Sequence, residues 1–265
     1  MRAVIHCVLA LAVIAMVLLG GTANVDTAAL RLPLSSDIES ILPSGTVAVG
    51  VAHPVMVTFH RPVVSRDAAQ RAIALTSSPA RTGRFEWLDD KVVQWVPDQY
   101  WPAHSTISLS VGGMPLEFKT GPKVVGVASI SEHTFTVTID GETPIDMPAP
   151  HHLPHFGEPG VLLASLGRPE YATPVGNYTV LGKDRSVTMD SSSVGIPVEA
   201  PDGYLTEVEY AVRFTRRGLF VHSAPWAVES MGFENVSHGC ISLSPAAAEW
   251  YFNTVNVGDP IIVQE

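Results

Sequence analysis

The sequence predicts a mainly β protein, a small sandwich followed by a larger β-rich domain with a short helix. Three observations point that way. Runs of five or six alternating apolar and polar residues recur from about Val47 to Ile139. Glycine, proline and aspartate punctuate them at strand-length intervals, as at Asp89-Asp90, Pro97, Pro102, Pro115 and Asp140-Gly141. Only two brief stretches read as helix, Ser65–Ala72 and Ala246–Phe252. The 265 residues allow one large domain or two ordinary ones, and 46% hydrophobic against 16% charged residues excludes a disordered chain. A net charge of −10 leaves no basic surplus for a phosphate backbone, so nucleic acid is excluded as a partner.

The chain opens with Arg2, an uncharged apolar run from Ala3 to Leu19, and small or polar residues from Gly20 to Asn24. That order predicts a secretory signal peptide within residues 1–29, with small-residue cleavage positions at Ala23 and Ala28-Ala29. An uncleaved membrane anchor is the alternative, because about 17 apolar residues is the lower limit for a span. Either places the body outside the cytoplasm, in the periplasm or cell wall. Cys7 lies inside the apolar run, which leaves Cys240 as the exported cysteine, unable to form an internal disulfide. A lone thiol in an oxidising compartment is either buried or chemically required.

From residue 40 to 122 the chain reads as a sandwich of immunoglobulin type. His53–Phe59 alternates, and Gly83–Trp87 meets Val92–Val96 as a hairpin across Asp89-Asp90. Ser65 would cap the helix that follows it. Trp87, Trp95 and Trp101 read as inward-facing core rather than as sugar-stacking platforms. No nucleophile, base or metal cluster stands in this stretch.

Thr120-Gly121-Pro122 is the expected boundary, with residues 123–265 as the second domain. Val124–Ile139 gives two strands. Pro148–Ser165 carries His151, His152 and His155 in a proline-rich stretch that reads as a loose surface loop with solvated histidines. No metal site and no cofactor are expected. Thr173–Tyr178 reads as a turn into a strand, with Gly176 free to take positive φ, and Arg213–Val221 as one strand running into His222. Fourteen residues separate His222 from Ser237-His238-Gly239-Cys240. A histidine near a thiol can take its proton, and glycine beside it allows a backbone that aims amides at an oxyanion. Ser244 and Pro245 then start the last helix as cap and first residue.

His222, the fourteen-residue gap and Ser237-His238-Gly239-Cys240 resemble the signature of the L,D-transpeptidases of peptidoglycan, the YkuD domain. Thr173-Pro-Val-Gly176 and Gly258–Val263 look like that domain too. The sandwich, with Phe85-Glu-Trp87 and Tyr100-Trp-Pro102, resembles the bacterial immunoglobulin-like domain of actinobacterial, and especially mycobacterial, members. The resemblance implies acyl transfer on a thioester. Cys240 would attack the carbonyl between the L-centre of diaminopimelate and the terminal D-alanine of a donor tetrapeptide stem. A side-chain amine of an acceptor stem would then resolve the thioester as a 3→3 cross-link. His222 would be the base, the Ser223 carbonyl would orient it, and the amides of Gly239 and Cys240 would hold the oxyanion. His238 would shape the pocket and support the thiolate. Tyr204, Met189, Trp226, Ser237 and Ser242 match substrate-binding positions, Tyr204 on a covering flap. Carbapenem β-lactams are implied as covalent inhibitors.

Ser242 stands where the family usually has asparagine, and Pro150–Ser165 looks longer than the matching loop, as a surface insertion would. Two other outcomes share these residues. Water could replace the acceptor amine, as in an L,D-carboxypeptidase or an enzyme that detaches wall-linked protein. Alternatively, Cys240 could be a buried relic in a non-catalytic wall-binding protein.

Overall fold

Alternation in the sequence becomes register in the structure, a computed structural model in which residues 36–265 are described. The leader at 1–29 and Cys7 lie outside the described residues. No helix among the described residues is long and apolar enough to cross a membrane.

The first half comprises β1 (Ile38–Leu42), β2 (Val55–Phe59), α1 (Arg66–Ile73), β3 (Thr76–Ser78), β4 (Gly83–Trp87), β5 (Val92–Pro97), β6 (Thr106–Val111) and β7 (Met114–Lys119). Its sheets run β1-β2-β5-β4 and β3-β6-β7. The β4–β5 hairpin forms where Asp89-Asp90 predicts it, because Asp89 Oδ1 accepts from the amides of Lys91 and Val92, both at 2.7 Å. Val93 and Trp95 point inward from β5 onto Val55, Val57, Ile107 and Phe118. Trp95 and Trp101 are buried, and Trp101 stands edge-on to Phe118 at 5.6 Å. Helix α1 lies where expected, but the Ser65 side chain makes no capping bond.

The second half contains β8 (Val124–Ser129), β9 (Thr134–Ile139), β10 (Val161–Ser165), β11 (Gly176–Thr179), β12 (Gly182–Asp190), β13 (Leu205–Arg213), β14 (Phe220–Ser223), β15 (Ile241–Leu243), α2 (Pro245–Thr254) and β16 (Pro260–Gln264). One sheet carries all nine strands in the order β11-β16-β8-β9-β10-β15-β14-β13-β12. The β14–β15 and β16–β8 pairs are parallel and the others antiparallel. Helix α2 starts with Ser244 Oγ accepting from the Ala247 amide and Pro245 in its first turn. It buries Ala247, Ala248 and Tyr251 against the sheet.

Four expectations are corrected. Arg213–Val221 is not one strand: residues 215–218 turn, with Gly218 at φ +91°, and split it into β13 and β14. Pro150–Ser165 is not wholly a surface insertion, since Val161–Ser165 is a fully buried inner strand. An all-apolar run buried on both faces shows no alternation, so its periodicity does not announce a strand. Within that stretch, His152 Nε2 lies 2.6 Å from the Met231 carbonyl and its ring stacks on Phe233, so it is not solvated. Gly176 does not use positive φ, and its lack of a side chain instead makes room for the Tyr178 ring.

Sandwich and sheet pack as one compact unit. The Gly50 amide donates to Val257 O at 2.8 Å and the Ala52 amide to Gly258 O at 2.9 Å. A Cβ on Gly50 would stand 2.0 Å from the Asp259 nitrogen, so only glycine fits the crossing. Asp259 is fully buried there. Its Oδ2 accepts from the Asn256 amide at 2.7 Å, Oδ1 has no hydrogen-bond partner, and the Val51 and Val124 amides lie near the carboxyl group. Burial pushes its pKa up to about 7, against the lowering pull of those amides and Lys183.

The folded state therefore keeps the Asp259 proton to about pH 7, whereas the unfolded chain releases it near 3.8. Its contribution to stability is fully present below 3.8 and is lost as pH rises through 7, a swing on the order of 4 kcal/mol. Asp259→Asn is expected to melt progressively higher relative to the parent as pH rises from about 5 to about 8. A melting-temperature difference independent of pH would contradict the assignment.

Candidate active site

The site grows from the parallel pairing of β14 with β15. Register sets Val221 opposite Ile241, His222 opposite Ser242 and Ser223 opposite Leu243. Side chains alternate along a strand, so His222 and Ser242 share a face, and Cys240, two residues before Ser242, joins it. All three line one cavity of about 240 Å³ with Met189, Tyr204 and Trp226. The fourteen-residue gap is mostly consumed by the turn of Pro225–Ser230 and the return through Ser237. The Ser237 amide and carbonyl bond to Leu166 O and the Arg168 amide, which fastens this return beside β10.

Cys240 is half-buried and packs on Val208, Ala211 and Phe220. Burial in that apolar pocket pushes its thiol up to about 11, only partly opposed by the Phe220 backbone amide. His222 is 4% exposed, and burial lowers its pKa from the ordinary histidine value. Its Nδ1 lies 2.8 Å from the Ser223 carbonyl. A carbonyl can only accept, so Nδ1 carries the ring proton and Nε2 keeps its lone pair. The resting pair is therefore a neutral thiol beside a neutral imidazole.

Gly239 takes φ +111°, a region that favours glycine, and turns the chain sharply into Cys240. Ser237 Oγ clasps this turn, donating to Cys240 O at 2.7 Å and accepting from the Gly239 amide at 3.0 Å. The resemblance implies a Gly239 amide aimed at an oxyanion; here it is engaged by Ser237. Thr173 Oγ1 braces the turn from behind, accepting from the Gly167 amide at 2.8 Å and donating to Gly239 O at 3.0 Å.

The other expected positions gather at the same cavity. Tyr204 lies 4.9 Å from the His238 ring, centroid to centroid, and Trp226 lies 6.2 Å from His222 with more than half its surface exposed. Met189 packs near Cys240 at the base of the covering segment. Tyr204, Met189, His238 and Cys240 also border a second space of about 600 Å³ reaching to Ser193 and Arg217. Cys240 can thus be approached from two sides. Among the described residues no group of His, Cys, Asp and Glu could hold a metal. Sequence reasoning missed Thr173 as a brace, and also Arg168, Tyr171 and Asp202. The bonds that tie them into the site, Arg168 and Tyr171 to Asp202, Arg168 to His238 and Thr173 to Gly239, span 31 to 70 residues, so no local spacing marks them.

Fold and site together define a β-sandwich followed by a β-rich domain in which a thiol and a neutral imidazole line one cavity. A model of the L,D-transpeptidase catalytic domain matches residues 123–263, more than half of the chain, and one of the bacterial Ig domain matches residues 30–113. The chain belongs to the L,D-transpeptidase family. It is 60% identical to the probable L,D-transpeptidase 3 of Mycobacterium tuberculosis, with all of both chains covered. It is 45% identical to L,D-transpeptidase 1 of that organism over 99% of each. Among solved structures, L,D-transpeptidase 3 from Mycobacterium tuberculosis with a faropenem-derived adduct superposes with a TM-score of 0.81 at 66% identity, covering 86% of this chain and 98% of that one. A structure of LdtMt1 in complex with imipenem gives 0.77 at 47%, with the same coverage.

A thiol raised to about 11 rather than 9.0 holds roughly 10²-fold less thiolate at neutral pH. Cys240 in the resting protein should react with iodoacetamide about that much more slowly than free cysteine, and the rate should climb until the pH nears 11. A rate levelling off near neutrality, read by intact mass, would show a preformed thiolate instead.

Proposed function

We propose that this protein is an exported peptidoglycan L,D-transpeptidase that forms 3→3 cross-links through a thioester on Cys240. The observation that carries the reading is the shared cavity of Cys240 and His222, with the imidazole tautomer fixed by Ser223 so that Nε2 is a base. A bacterial Ig domain before the catalytic domain supports a site of action in the periplasm or wall, with the sandwich as a spacer. An N-terminal anchor in place of a cleaved leader would keep the enzyme at the membrane. The domain limits proposed are 40–122 and 123–265.

The chemistry starts from neutral partners. As Cys240 Sγ attacks the stem carbonyl, His222 Nε2 takes the thiol proton, and the Ser223 carbonyl stabilises the imidazolium through Nδ1–H. The oxyanion draws on the Cys240 amide first, and on the Gly239 amide once the Ser237 hydroxyl turns away from it. Collapse breaks the C–N bond, His222 returns the proton to the departing D-alanine nitrogen, and the C–S bond remains. An acceptor amine then attacks the thioester from the second approach and gives a proton to His222; collapse breaks the C–S bond, leaves the new amide, and His222 returns that proton to the departing sulfur. His238, Tyr204, Met189, Trp226, Ser237 and Ser242 shape the walls within which the stems lie. Trp226, open to solvent at the cavity rim, is suited to the outer part of a stem.

The thioester also admits water, and an L,D-carboxypeptidase outcome differs only in the second step. The relative solved with imipenem and the one solved with a faropenem-derived adduct support covalent capture of carbapenem-type β-lactams at Cys240.

Intact-mass analysis with a defined disaccharide-tetrapeptide should show loss of D-alanine with acyl-enzyme formation, then a cross-linked dimer. Cys240→Ala should give neither product, and imipenem should leave a stable adduct on the parent protein. His222→Gln should slow acylation by about 10²–10⁴-fold. A folded Cys240→Ala variant that still cross-links would sink the assignment, and release of tripeptide with no dimer would make it a carboxypeptidase.

A further inference from the structure

Arg168, three residues past the end of β10, is tied by its backbone amide to Ser237 O at 3.0 Å, so its Cα is fixed against the turn that carries Cys240. Its Nη2 reaches Asp202 Oδ1 at 2.5 Å and His238 Nε2 at 3.1 Å. The guanidinium also lies over the Tyr171 ring, 4.7 Å from its centroid, with Glu170 behind it at 3.7 Å. Tyr171 and Tyr204 flank His238, with ring centroids at 4.8 and 4.9 Å, and Tyr171 Oη donates to Asp202 Oδ2 at 3.4 Å.

A guanidinium has no lone pair to offer and can only donate. His238 Nε2 must therefore accept, which puts the ring proton on Nδ1 and keeps the imidazole neutral. The same guanidinium grips Asp202 at the end of the segment 191–204, whose Ser193, Val194, Ile196 and Tyr204 wall the larger space beside Cys240. One nitrogen, Nη2, thus serves both Asp202 and His238, while Nε faces Glu170 and the planar group lies over the Tyr171 ring; the stacked plane is what arginine supplies and lysine does not.

We propose that Arg168 is a positioning residue, fixing His238 as the neutral Nδ1–H tautomer and fastening the covering segment 191–204 over Cys240 through Asp202. The proposal rests on the reading of Cys240 as the acyl acceptor, and it deepens that reading by separating the two motif histidines. His222 has a free lone pair and moves the proton. His238 has its lone pair occupied and is a fixed wall, held between Tyr171 and Tyr204. The covering segment and the wall are secured by one group, so losing that group loosens both.

The test uses the exported chain with Arg168→Met, Arg168→Lys and Asp202→Asn, each checked by thermal melting. Nitrogen NMR of the His238 ring reports the tautomer, hydrogen exchange over 191–204 reports the cover, and imipenem acylation reports the thiol. The parent should show an unprotonated Nε2. Arg168→Met should mix the tautomers, raise exchange over 191–204 and slow acylation by about 10²-fold, the scale set by loss of a fixed geometry. Arg168→Lys should recover part of each loss. Asp202→Asn should raise exchange over 191–204 while leaving the His238 tautomer intact. An Arg168→Met variant with the parent's tautomer and exchange would overturn the proposal, whatever its activity. Should that variant fail to fold, unchanged exchange in Asp202→Asn would overturn it equally. A parent protein that takes no imipenem would count against the Cys240 reading alone, because the tautomer and exchange are read without acylation.

Discussion

The parallel pairing of β14 with β15 is the constraint from which the site follows. Neither strand is long, and they are joined by seventeen residues, 224–240, so their alignment has to be imposed from outside. It is imposed from both flanks: β13 holds β14 through Val212 opposite Val221, and β10 holds β15 through Ala164 opposite Leu243. The Ala224 amide closes the pair at its far end by donating to Leu243 O at 2.9 Å. A slip of one residue would turn His222 to the other face and remove it from the cavity. The flanking strands β13 and β10 are thus as much a part of the site as the residues lining it, because they hold this register.

That register leaves His222 almost wholly buried, and the electrostatics follow from burial. Charge is disfavoured on both partners, so the thiol stays protonated and the imidazole stays neutral. An exposed, preformed thiolate would be open to oxidation in the compartment where such a chain would work. A neutral pair avoids that, and ionisation is deferred until a carbonyl is present to receive the electron density. The Ser223 carbonyl is a weaker partner than a carboxylate but introduces no buried charge of its own. It suits an apolar site in which the imidazolium exists only transiently.

Much of this was legible in the sequence, for reasons that are local. Asp89-Asp90 announces its hairpin because one carboxylate can satisfy two nearby amides. Ser244-Pro245 announces α2 for a similar reason. His222 and Cys240 are legible because a cysteine at a fixed distance from a histidine restricts the chemistry available. What escaped depends on distance or on uniformity. Val161–Ser165 is apolar at nearly every position and carries no period. The β13–β14 turn at Thr215–Gly218 is polar and short, and Arg216-Arg217 within it resemble an exposed strand face. Arg168 sits 34 residues from Asp202 and 70 from His238, and only the folded sheet brings the three together.

Ser242 shows how the same scaffold absorbs a departure from the family pattern. It stands directly across from His222 on β15 and is 3% exposed, with Ser165 opposite it on the other side. Ser165 is committed elsewhere, donating to Glu234 O at 2.8 Å and accepting from the Val236 amide at 3.1 Å. A hydroxyl at 242 is shorter than the usual asparagine amide and holds one donor where the amide holds two. The imidazole does not depend on it, since Nδ1 is fixed by Ser223 of its own strand. What the shorter side chain changes is the wall of the cavity beside Nε2, where the stem backbone would lie. The tautomer of His222 is therefore fixed within β14 alone, and the identity of residue 242 is free to adjust how a donor stem would be held.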